Sequence, residues 1–484
     1  MEIIEDKIFI LSMMVIISIF ITKLTKNYGI PTLLLFLALG MLAGSDGPGG
    51  LQFNNAFMAQ SIGTLTLVVI LFSGGLDTSF ASVKRGLKAS LSLATGGVII
   101  TAVLCGGFLY YFAGFSLQYA FLIGAIISST DAAAVLSVLR AKDLNLSGDL
   151  QPVLEVESGS NDPMAILLTT MMISIITTPE KPFYDYIIFF ILQFGIGAIA
   201  GYAGGRGIAY IMRKLDFITP GFYPVFALAG GLLVYSGTVL IASSGFLAVY
   251  IAGIVASNHE FQYKTSVIRF FEGLAWLSQI GMFLTLGLLI NPSELVSVAL
   301  TGILLALFLM FVARPVAVFL SLVYSNFNLR EKLFIIWGGL RGAVPIILGT
   351  FALTADITNA KEIFNLVFFV VCFSALGQGW SLQFVSVFLK VTAEKHLNKK
   401  VLLDIETGKE DNKTLFDFFL AQGAPACGTK IVELGLPKDV LIVLIERKGK
   451  YVIPSGATIL EEDDLVILLA DKSNIETVAS FFSH

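Results

Sequence analysis

Three short polar clusters interrupt long apolar stretches of this sequence, and they hold the side chains most able to bind ions or protons. The first is Ser128-Ser129-Thr130-Asp131. An ionised aspartate at the centre of a membrane helix costs at least about 2.5 to 3.5 kcal/mol, so Asp131 must face water or a partner. Serine and threonine beside it can satisfy backbone groups freed by an unwound turn. The cluster indicates an ion path, and an aspartate that only caps a re-entrant helix is the alternative.

The second cluster, Glu157-Ser158-Gly159-Ser160-Asn161-Asp162-Pro163, places two carboxylates on one helix. Glu157 and Asn161 are four residues apart. The same spacing separates Ser158 from Asp162, so all four polar side chains lie on adjoining strips of one helix face. Carboxylate and hydroxyl oxygens are the ligands that small hard cations prefer. The pattern predicts a cation site, and a polar seam that holds helices together is the alternative.

The third cluster is Gly338-Gly339-Leu340-Arg341-Gly342-Ala343-Val344-Pro345. Its glycines and proline predict a broken helix, and Arg341 is a permanent cation at membrane depth. An arginine cannot remain unpaired there, and Glu157 is the predicted partner. Asp131 and Asp162 then remain as the titratable groups. The alternative is that Arg341 binds an anionic substrate directly.

The distribution of charge divides the chain into a membrane part and a soluble tail. Only 14% of the 484 residues are charged, whereas soluble proteins have about 25%. Residues 391–484 hold 11 of the 31 basic and 15 of the 35 acidic residues. The net charge of -4 therefore comes from the tail, and nucleic acid is not expected as a partner. We predict a transmembrane domain over 1–390, a linker over 391–401 and a cytoplasmic domain over 402–484.

A membrane helix needs about 20 predominantly apolar residues, and thirteen candidate runs are present. Lysine and arginine cluster in every second connection between these runs. The connections in between hold only Lys181 and Lys361. We therefore predict a multi-pass protein of the inner (cytoplasmic) membrane. By the positive-inside rule, its N-terminus is outside and its C-terminal domain is in the cytoplasm. The runs are 8–24, 31–44, 57–76, 89–113, 117–139, 150–177, 183–212, 222–242, 244–257, 268–290, 295–323, 332–355 and 362–389.

A weak internal repeat recurs at an offset of 213 residues. Leu39–Gly44 matches Ala252–Ser257 in its pattern of small and aliphatic residues, and Ser128–Asp131 falls opposite Arg341–Val344. The offset spans seven helices, an odd number, so two six-helix halves enter the membrane in opposite directions. Inverted repeats of this kind are typical of transporters. The fold class predicted is an all-α polytopic membrane protein with inverted repeats and broken crossing helices, followed by a small α+β domain.

Several other classes of protein lack their signature residues in this sequence. No phosphate-binding loop supports an ATP-driven pump, and no serine/histidine or metal constellation supports an enzyme. The three histidines are scattered, so we expect no bound metal beyond a transported cation and no cofactor. Arg314, which precedes Pro315, is expected to snorkel toward the membrane surface.

The tail has the pattern of a small α+β module. Val440–Glu446, Tyr451–Pro454 and Leu465–Ala470 are predicted strands, and Ser473–Phe482 is a predicted helix. Residues 395–413 are predicted to be a polar linker.

The motifs, in this order, resemble the electroneutral branch of the cation/proton antiporter superfamily, the NhaP-type sodium or potassium/proton exchangers. The resemblance covers about 380 residues. It implies a homodimer in which a core domain moves against a dimerisation domain. Related sequences often have an acidic residue where this chain has Ser73. The resemblance also implies the roles of the clustered residues: Thr130 (through its backbone), Asp131, Ser158 and Asp162 bind the cation, and Glu157 with Arg341 forms a stabilising pair around Asn161.

The tail resembles the regulatory TrkA-C module of potassium-transport proteins over Lys430–Phe482. That resemblance implies dimerisation and a possible nucleotide ligand, and it makes potassium a plausible substrate.

We therefore predict a secondary antiporter that exchanges K⁺ or Na⁺ for H⁺ and serves pH and cation homeostasis. A buried carboxylate that takes up either a proton or a cation supplies the mechanism, and Asp162 is the candidate. A ligand-gated cation channel and an anion carrier centred on Arg341 are the alternatives.

Overall fold

The computed structural model contains two compact units, Met1–Ala393 and Glu394–His484. It describes residues 2–25, 32–142, 144–180, 182–215, 219–393, 413–420, 424–437, 439–447, 450–471, 478 and 481–482.

Every predicted apolar run falls on a helix or on a pair of consecutive helices of the first unit, which confirms the predicted fold class. Within the described residues, nine spans are single helices and four are helix pairs. The helices are α1 Glu2–Thr25, α2 Thr32–Ala43, α3 Ala56–Asp77, α4 Phe80–Ser92, α5 Val98–Phe112, α6 Leu117–Ile126, α7 Ala132–Ala141, α8 Leu150–Thr177, α9 Phe183–Lys214, α10 Phe222–Leu240, α11 Gly245–Ser257, α12 Lys264–Leu289, α13 Pro292–Phe308, α14 Arg314–Ser321, α15 Leu329–Trp337, α16 Ala343–Thr354 and α17 Ala360–Phe388.

These helices form two bundles. The scaffold bundle consists of α1 to α3 and α9 to α12, with α11 packed between α3 and α9. The site bundle consists of α4 to α8 and α13 to α17. The two bundles meet chiefly where α3 packs against α16 and where α8 passes α9 and α11. Any site built from α6 to α8 and α15 to α16 therefore lies next to the boundary between the bundles.

Irregular segments recur at equivalent places in the two halves, as an inverted repeat requires. A π-helical segment, Leu93–Gly97, joins α4 to α5, and a second, Leu309–Ala313, joins α13 to α14. The breaks between α6 and α7 and between α15 and α16 form a second matched pair. Each break lies within a continuous apolar run, where only neighbouring protein groups can satisfy the freed backbone.

Glycine contacts in the scaffold bundle follow the same symmetry. Gly40 on α2 faces Gly287 on α12, and Gly75 on α3 faces Gly253 on α11. A Cβ atom at Gly40 would lie 2.9 Å from the Cα of Gly287, and one at Gly253 would lie 3.0 Å from the Cα of Gly75. Small residues let membrane helices approach backbone to backbone, and dispersion contacts then stabilise the pair.

A ladder of small residues fastens α9 to α11. Gly197, Gly201 and Gly205 recur every fourth residue along α9. A Cβ atom on Gly201 would lie 2.5 Å from the carbonyl oxygen of Ala248, and one on Gly205 would lie 2.6 Å from that of Ala252. With Gly75 on its other side, α11 is held closely by two neighbouring helices.

The second unit contains a four-stranded antiparallel sheet in the order β3-β6-β4-β5. The strands β4 Leu441–Arg447, β5 Lys450–Val452 and β6 Leu465–Asp471 confirm the predicted ones, and β3 is Lys413–Phe419. Strand β3 was not predicted, because it is ordered by pairing with β6 and by stacking of Phe418 on Phe482. The predicted helix Ser473–Phe482 lies largely outside the described residues. A short antiparallel pair in the first unit, β1 Asn145–Leu146 with β2 Thr392–Ala393, ties the chain after α17 to the segment before α8.

The glycine ladder gives a test of the scaffold bundle. We expect Gly201→Ala to destabilise the protein by about 1 to 3 kcal/mol, because the added methyl group overlaps the α11 backbone. Gly195→Ala, on the same helix, is the matched control, since its Cβ meets no atom within 4 Å. Thermal unfolding of both variants in detergent measures the difference. Equal stabilities would show that the α9–α11 contact does not depend on glycine.

Candidate functional site

The two helix breaks of the site bundle cross each other. Residues 127–131 separate α6 from α7, and residues 338–342 separate α15 from α16. The backbone N–H of Asp131 donates to the carbonyl of Leu340 over 2.7 Å, so one unwound segment satisfies the other. The crossing brings four helix ends to one point inside the bundle.

Asp131 lies at the N-terminus of α7 and caps it. Its Oδ1 accepts a hydrogen bond of 3.0 Å from the backbone N–H of Ala134. A Cβ atom on Gly342 would lie 2.2 Å from Asp131 Oδ2, so the carboxylate also rests against the start of α16. Helix N-termini stabilise a negative charge. Asp131 is therefore the capping residue of α7, and its second carboxylate oxygen, Oδ2, lies at the start of α16.

Arg341 caps a helix end of the opposite polarity. Its Nη1 donates to the carbonyls of Ser128, at 2.9 Å, and Ser129, at 2.5 Å, just beyond the C-terminus of α6. Carbonyl groups at a helix C-terminus carry partial negative charge, which a guanidinium offsets. The predicted ion pair between Arg341 and Glu157 is wrong: Arg341 Nη1 binds these freed carbonyls, and its Nε and Nη2 have no hydrogen-bond partner among the described residues.

Glu157 pairs with Arg314 instead. Arg314 Nη2 lies 2.7 Å from Glu157 Oε1, and the two side chains are only 4% and 1% exposed. The same nitrogen donates to the carbonyl of Ile335 over 3.2 Å. Arg314 reaches this place because Gly339 has no side chain: a Cβ atom there would lie 2.6 Å from Arg314 Nε. The expectation that Arg314 snorkels to the surface is therefore also wrong.

The remaining polar side chains of α8 hold the unwound segment before α7. The side-chain amide of Asn161 donates to Thr130 Oγ1 over 2.6 Å, and its oxygen accepts from the Thr130 N–H at 3.4 Å. Ser158 donates to the Thr130 carbonyl over 2.9 Å and accepts from the Ala132 N–H at 3.0 Å. The Thr130 carbonyl accepts a hydrogen bond from Ser158 and keeps a second lone pair that could bind an ion.

Asp162 follows one turn later on α8, close enough to Asp131 to be repelled by its charge. Asp131, Ser158 and Asp162 are half-buried, whereas Glu157 and Asn161 are fully buried. The polar face of α8 is therefore divided into a buried strip and a half-buried strip. The structure places all the predicted site residues at one crossing, and only the pairing of Arg341 differs.

The boundary between the bundles is packed unevenly along α3. Where this helix ends, a Cβ atom on Gly74 would have no atom within 4 Å. Toward the other end of α3, one on Gly63 would lie 3.2 Å from the side chain of Ile347 on α16. The boundary is therefore packed more closely where α3 begins than where it ends.

The charges at the crossing leave one carboxylate without compensation. Two arginines, Arg314 and Arg341, face three carboxylates, Glu157, Asp131 and Asp162. With all groups ionised, the crossing carries a single net negative charge. Glu157 has a direct cationic partner and Asp131 has a helix N-terminus, so the excess charge belongs to Asp162.

Comparison with known protein families agrees with this arrangement. Residues 11–388 match the family described as "Sodium/hydrogen exchanger, transmembrane". The chain belongs to the sodium/hydrogen exchanger family. Residues 415–483 match the TrkA-C domain, so this family member carries the regulatory module that its tail resembles.

Individual relatives and solved structures give the same assignment. The chain is 37% identical to the "K(+)/H(+) antiporter NhaP2" of Shewanella baltica, over 96% of this chain and 81% of the relative. It is 36% identical to the "K(+)/H(+) antiporter NhaP" of Alkalimonas amylolytica, over 99% and 84%. The structure of the sodium proton antiporter MjNhaP1 from Methanocaldococcus jannaschii superposes with a TM-score of 0.70 at 25% identity, covering 80% of this chain and all of that one.

The conspicuous motif residues of the tail form an internal cluster. Arg447 donates from Nε and Nη2 to the two carboxylate oxygens of Asp464, both at 2.8 Å, and from Nη2 to the carbonyl of Ile459 at 2.7 Å. The hydrogen bonds with buried Asp464 raise the pKa of Arg447 above its usual value. Arg447 therefore orders the tail, and a ligand of this domain would have to bind elsewhere or displace Asp464.

The Glu157–Arg314 pair predicts a specific stability pattern. We expect Arg314→Met to destabilise the protein by about 3 to 5 kcal/mol, because it leaves a buried carboxylate uncompensated. Adding Glu157→Gln should restore most of this loss, and the measurement is thermal unfolding of the purified single and double variants. An equal loss in the double variant would contradict a direct ion pair.

Proposed function

We propose that this protein is a secondary antiporter that exchanges one K⁺ or Na⁺ for one proton and so contributes to pH and cation homeostasis. The observation that carries the proposal is the single uncompensated carboxylate at the crossing. One monovalent cation or one proton neutralises that charge, but both together would leave an excess positive charge. The two substrates therefore compete for one site.

Asp162 is the group that alternates between its two partners. An ionised carboxylate without compensation is costly at membrane depth, so Asp162 favours any state in which a positive charge accompanies it. A bound cation would draw on the oxygens of Asp131, Ser158 and the Thr130 backbone, which lie at the same crossing. When the cation leaves, a proton on Asp162 restores neutrality. Asp131 stays charged throughout because the N–H groups of α7 stabilise it.

Movement of the site bundle against the scaffold bundle supplies alternating access in this proposal. We infer that the crossing opens where α3 ends, because the boundary where α3 begins is closed by packing such as that of Gly63 on Ile347. A displacement along α3 and α11 would exchange the open and the closed ends. The scaffold bundle is also the surface on which we propose a homodimer forms.

We infer that the chain spans the cytoplasmic membrane with its N-terminus outside and its C-terminal domain inside. The support is the alternation of basic residues among the connections of the described spans. On this orientation the opening faces the cytoplasm, and the TrkA-C domain lies in the same compartment as a nucleotide or other regulatory ligand.

Potassium is the first cation to test, because the relatives that are 36% and 37% identical are named K⁺/H⁺ antiporters. A relative from Aphanothece halophytica that is 28% identical, over 65% of this chain and 62% of its own length, is named a Na⁺/H⁺ antiporter. An anion carrier centred on Arg341 lacks support, since that guanidinium is fully buried and the crossing around it carries a net negative charge. A channel would not need competition between proton and cation at one carboxylate.

The first prediction of this proposal concerns Asp162. We expect Asp162→Asn to abolish exchange and leave the protein folded, because asparagine cannot trade a proton for a cation and removes a buried charge. The measurement is the dissipation of an imposed pH gradient by K⁺ or Na⁺ in proteoliposomes, and the control is Asp185→Asn at the start of α9. Near-normal, saturable exchange by Asp162→Asn would exclude the mechanism.

The second prediction concerns voltage. One-for-one exchange moves no net charge, so a clamped membrane potential should leave the end-point cation gradient almost unchanged. If two protons moved per cation, 100 mV would act on one net charge with about 2.3 kcal/mol and shift the equilibrium ratio well over tenfold. Proteoliposomes with an imposed potential independent of potassium distinguish the two stoichiometries.

A further inference from the structure

Tyr250 is a buried phenol at the boundary between the two bundles. It lies on α11, the helix that close backbone contacts hold between α3 and α9. The residue is only 3% exposed, and its hydroxyl has no hydrogen-bond partner of acceptable geometry among the described residues. A buried hydroxyl without a partner is costly, so this one is expected to meet a polar group or ligand.

The hydroxyl reaches the turn of α8 that carries the candidate cation ligands. A Cβ atom on Gly159 would lie 2.4 Å from Tyr250 Oη, so only glycine leaves room for the phenol here. Gly159 directly follows Ser158 and precedes Asp162 by three residues. A rigid helix of the scaffold bundle thus places an oxygen beside the ion-binding helix of the site bundle.

Other oxygens surround the same point. The hydroxyls of Thr78 on α3 and Ser160 on α8 are the polar neighbours of Tyr250, and the carboxylates of Glu155 and Asp162 lie close enough to act on it electrostatically. Thr78 donates its own hydrogen to the carbonyl of Gly74 over 2.7 Å, so its oxygen lone pairs point elsewhere. The three hydroxyls come from three different helices of the two bundles.

Acidic residues lie near these hydroxyls on the side away from Asp162. Glu155 lies seven residues before Asp162 on α8 and has a side chain that is 32% exposed, with Arg140 Nη2 at 3.9 Å and the Gln151 amide donating at 2.9 Å. Asp77 at the end of α3 and Glu272 on α12 add negative charge on the same side. The contact of Tyr250 with Gly159 therefore falls between Glu155 and the half-buried Asp162 along α8.

We propose that the hydroxyls of Tyr250, Thr78 and Ser160 form a second, transient position for the transported monovalent cation, between Glu155 and Asp162. This rests on the proposed cation/proton exchange. Neutral oxygens suit a hard monovalent cation, and without a carboxylate in direct contact they bind it only weakly. The position replaces part of the hydration shell before the cation reaches Asp162.

The position belongs to one access state only. Tyr250 and Thr78 are on the scaffold bundle, whereas Ser160 is on the site bundle, so a displacement of α8 along α11 separates the three oxygens. A cation that has moved on to Asp162 travels with the site bundle. The second position therefore lowers the barrier to entry and release on the open side and contributes nothing to transport across the boundary.

Two single variants with matched controls test the position in the full-length protein. Tyr250→Phe and Thr78→Val each remove one oxygen and keep the shape of the side chain. Tyr235→Phe on α10 is the control for the first. Thr66→Val is the control for the second, because Thr66 lies on the same helix and also donates to a carbonyl four residues earlier, at 2.8 Å.

Two readouts are compared: the K⁺ or Na⁺ concentration that gives half-maximal exchange in proteoliposomes, and the thermal stabilisation that the cation gives the detergent-solubilised protein. We expect Tyr250→Phe and Thr78→Val each to raise the half-saturating concentration about two- to tenfold, the loss of one polar contact. The maximal rate should stay within about twofold, and the melting temperature without cation should not fall. The controls should match the unmodified protein.

Two results would overturn the proposal. One is a half-saturating concentration equal to that of the controls, which would mean that only water occupies the hydroxyls. The other is a loss of affinity together with a lower melting temperature without cation, which would assign Tyr250 a packing role. If the unmodified protein showed no coupled exchange, the proposed function would fail, and the thermal stabilisation by cations would still decide whether these hydroxyls bind them.

Discussion

Backbone groups freed inside the membrane must find partners within the protein, and the arrangement of the site follows from this constraint. The two unwound segments partly satisfy each other, since the N–H of Asp131 donates to the carbonyl of Leu340. The ends that remain are capped by opposite charges: Asp131 at the N-terminus of α7, and Arg341 at the carbonyls beyond α6. The buried polar and charged side chains are concentrated where these caps meet, because the freed backbone groups of the broken helices need them as partners.

Once Arg341 is committed to carbonyl groups, the buried Glu157 needs another cation, and Arg314 provides it. The positions of the Arg314 and Asp131 side chains depend on two glycines. Gly339 leaves space for the Arg314 guanidinium, and Gly342 leaves space for the Asp131 carboxylate. The sequence Gly339-Leu340-Arg341-Gly342 thus does more than break a helix. Its two glycines also leave the space that the charged groups of Arg314 and Asp131 occupy.

The sequence alone predicts the number of spans, the inverted repeat and the residues of the crossing, because ionisable groups in apolar runs are costly and therefore conspicuous. It does not predict which arginine meets Glu157, since separation along the chain says nothing about which helix faces which. Arg314 could have been recognised as a lone cation deep within the run 295–323. Tyr250 gives no such signal, because its sequence context is that of any aromatic in a membrane helix. Its significance comes only from the neighbouring Gly159.

In the proposed exchange, the charge balance that accommodates either substrate also discourages movement without one. With Asp162 unoccupied, the site bundle carries one uncompensated charge, and moving it past the scaffold bundle would bring that charge into the covered part of the boundary. A cost of about 2.5 to 3.5 kcal/mol for a carboxylate at that depth corresponds to a roughly 60- to 300-fold lower population of the state in which the site bundle is midway through this movement. A proton or a cation on Asp162 removes this cost equally. Coupling of the two fluxes therefore follows from electrostatics alone, without a separate gate that recognises each ion, and the rigid, glycine-packed scaffold needs only to keep the boundary apolar.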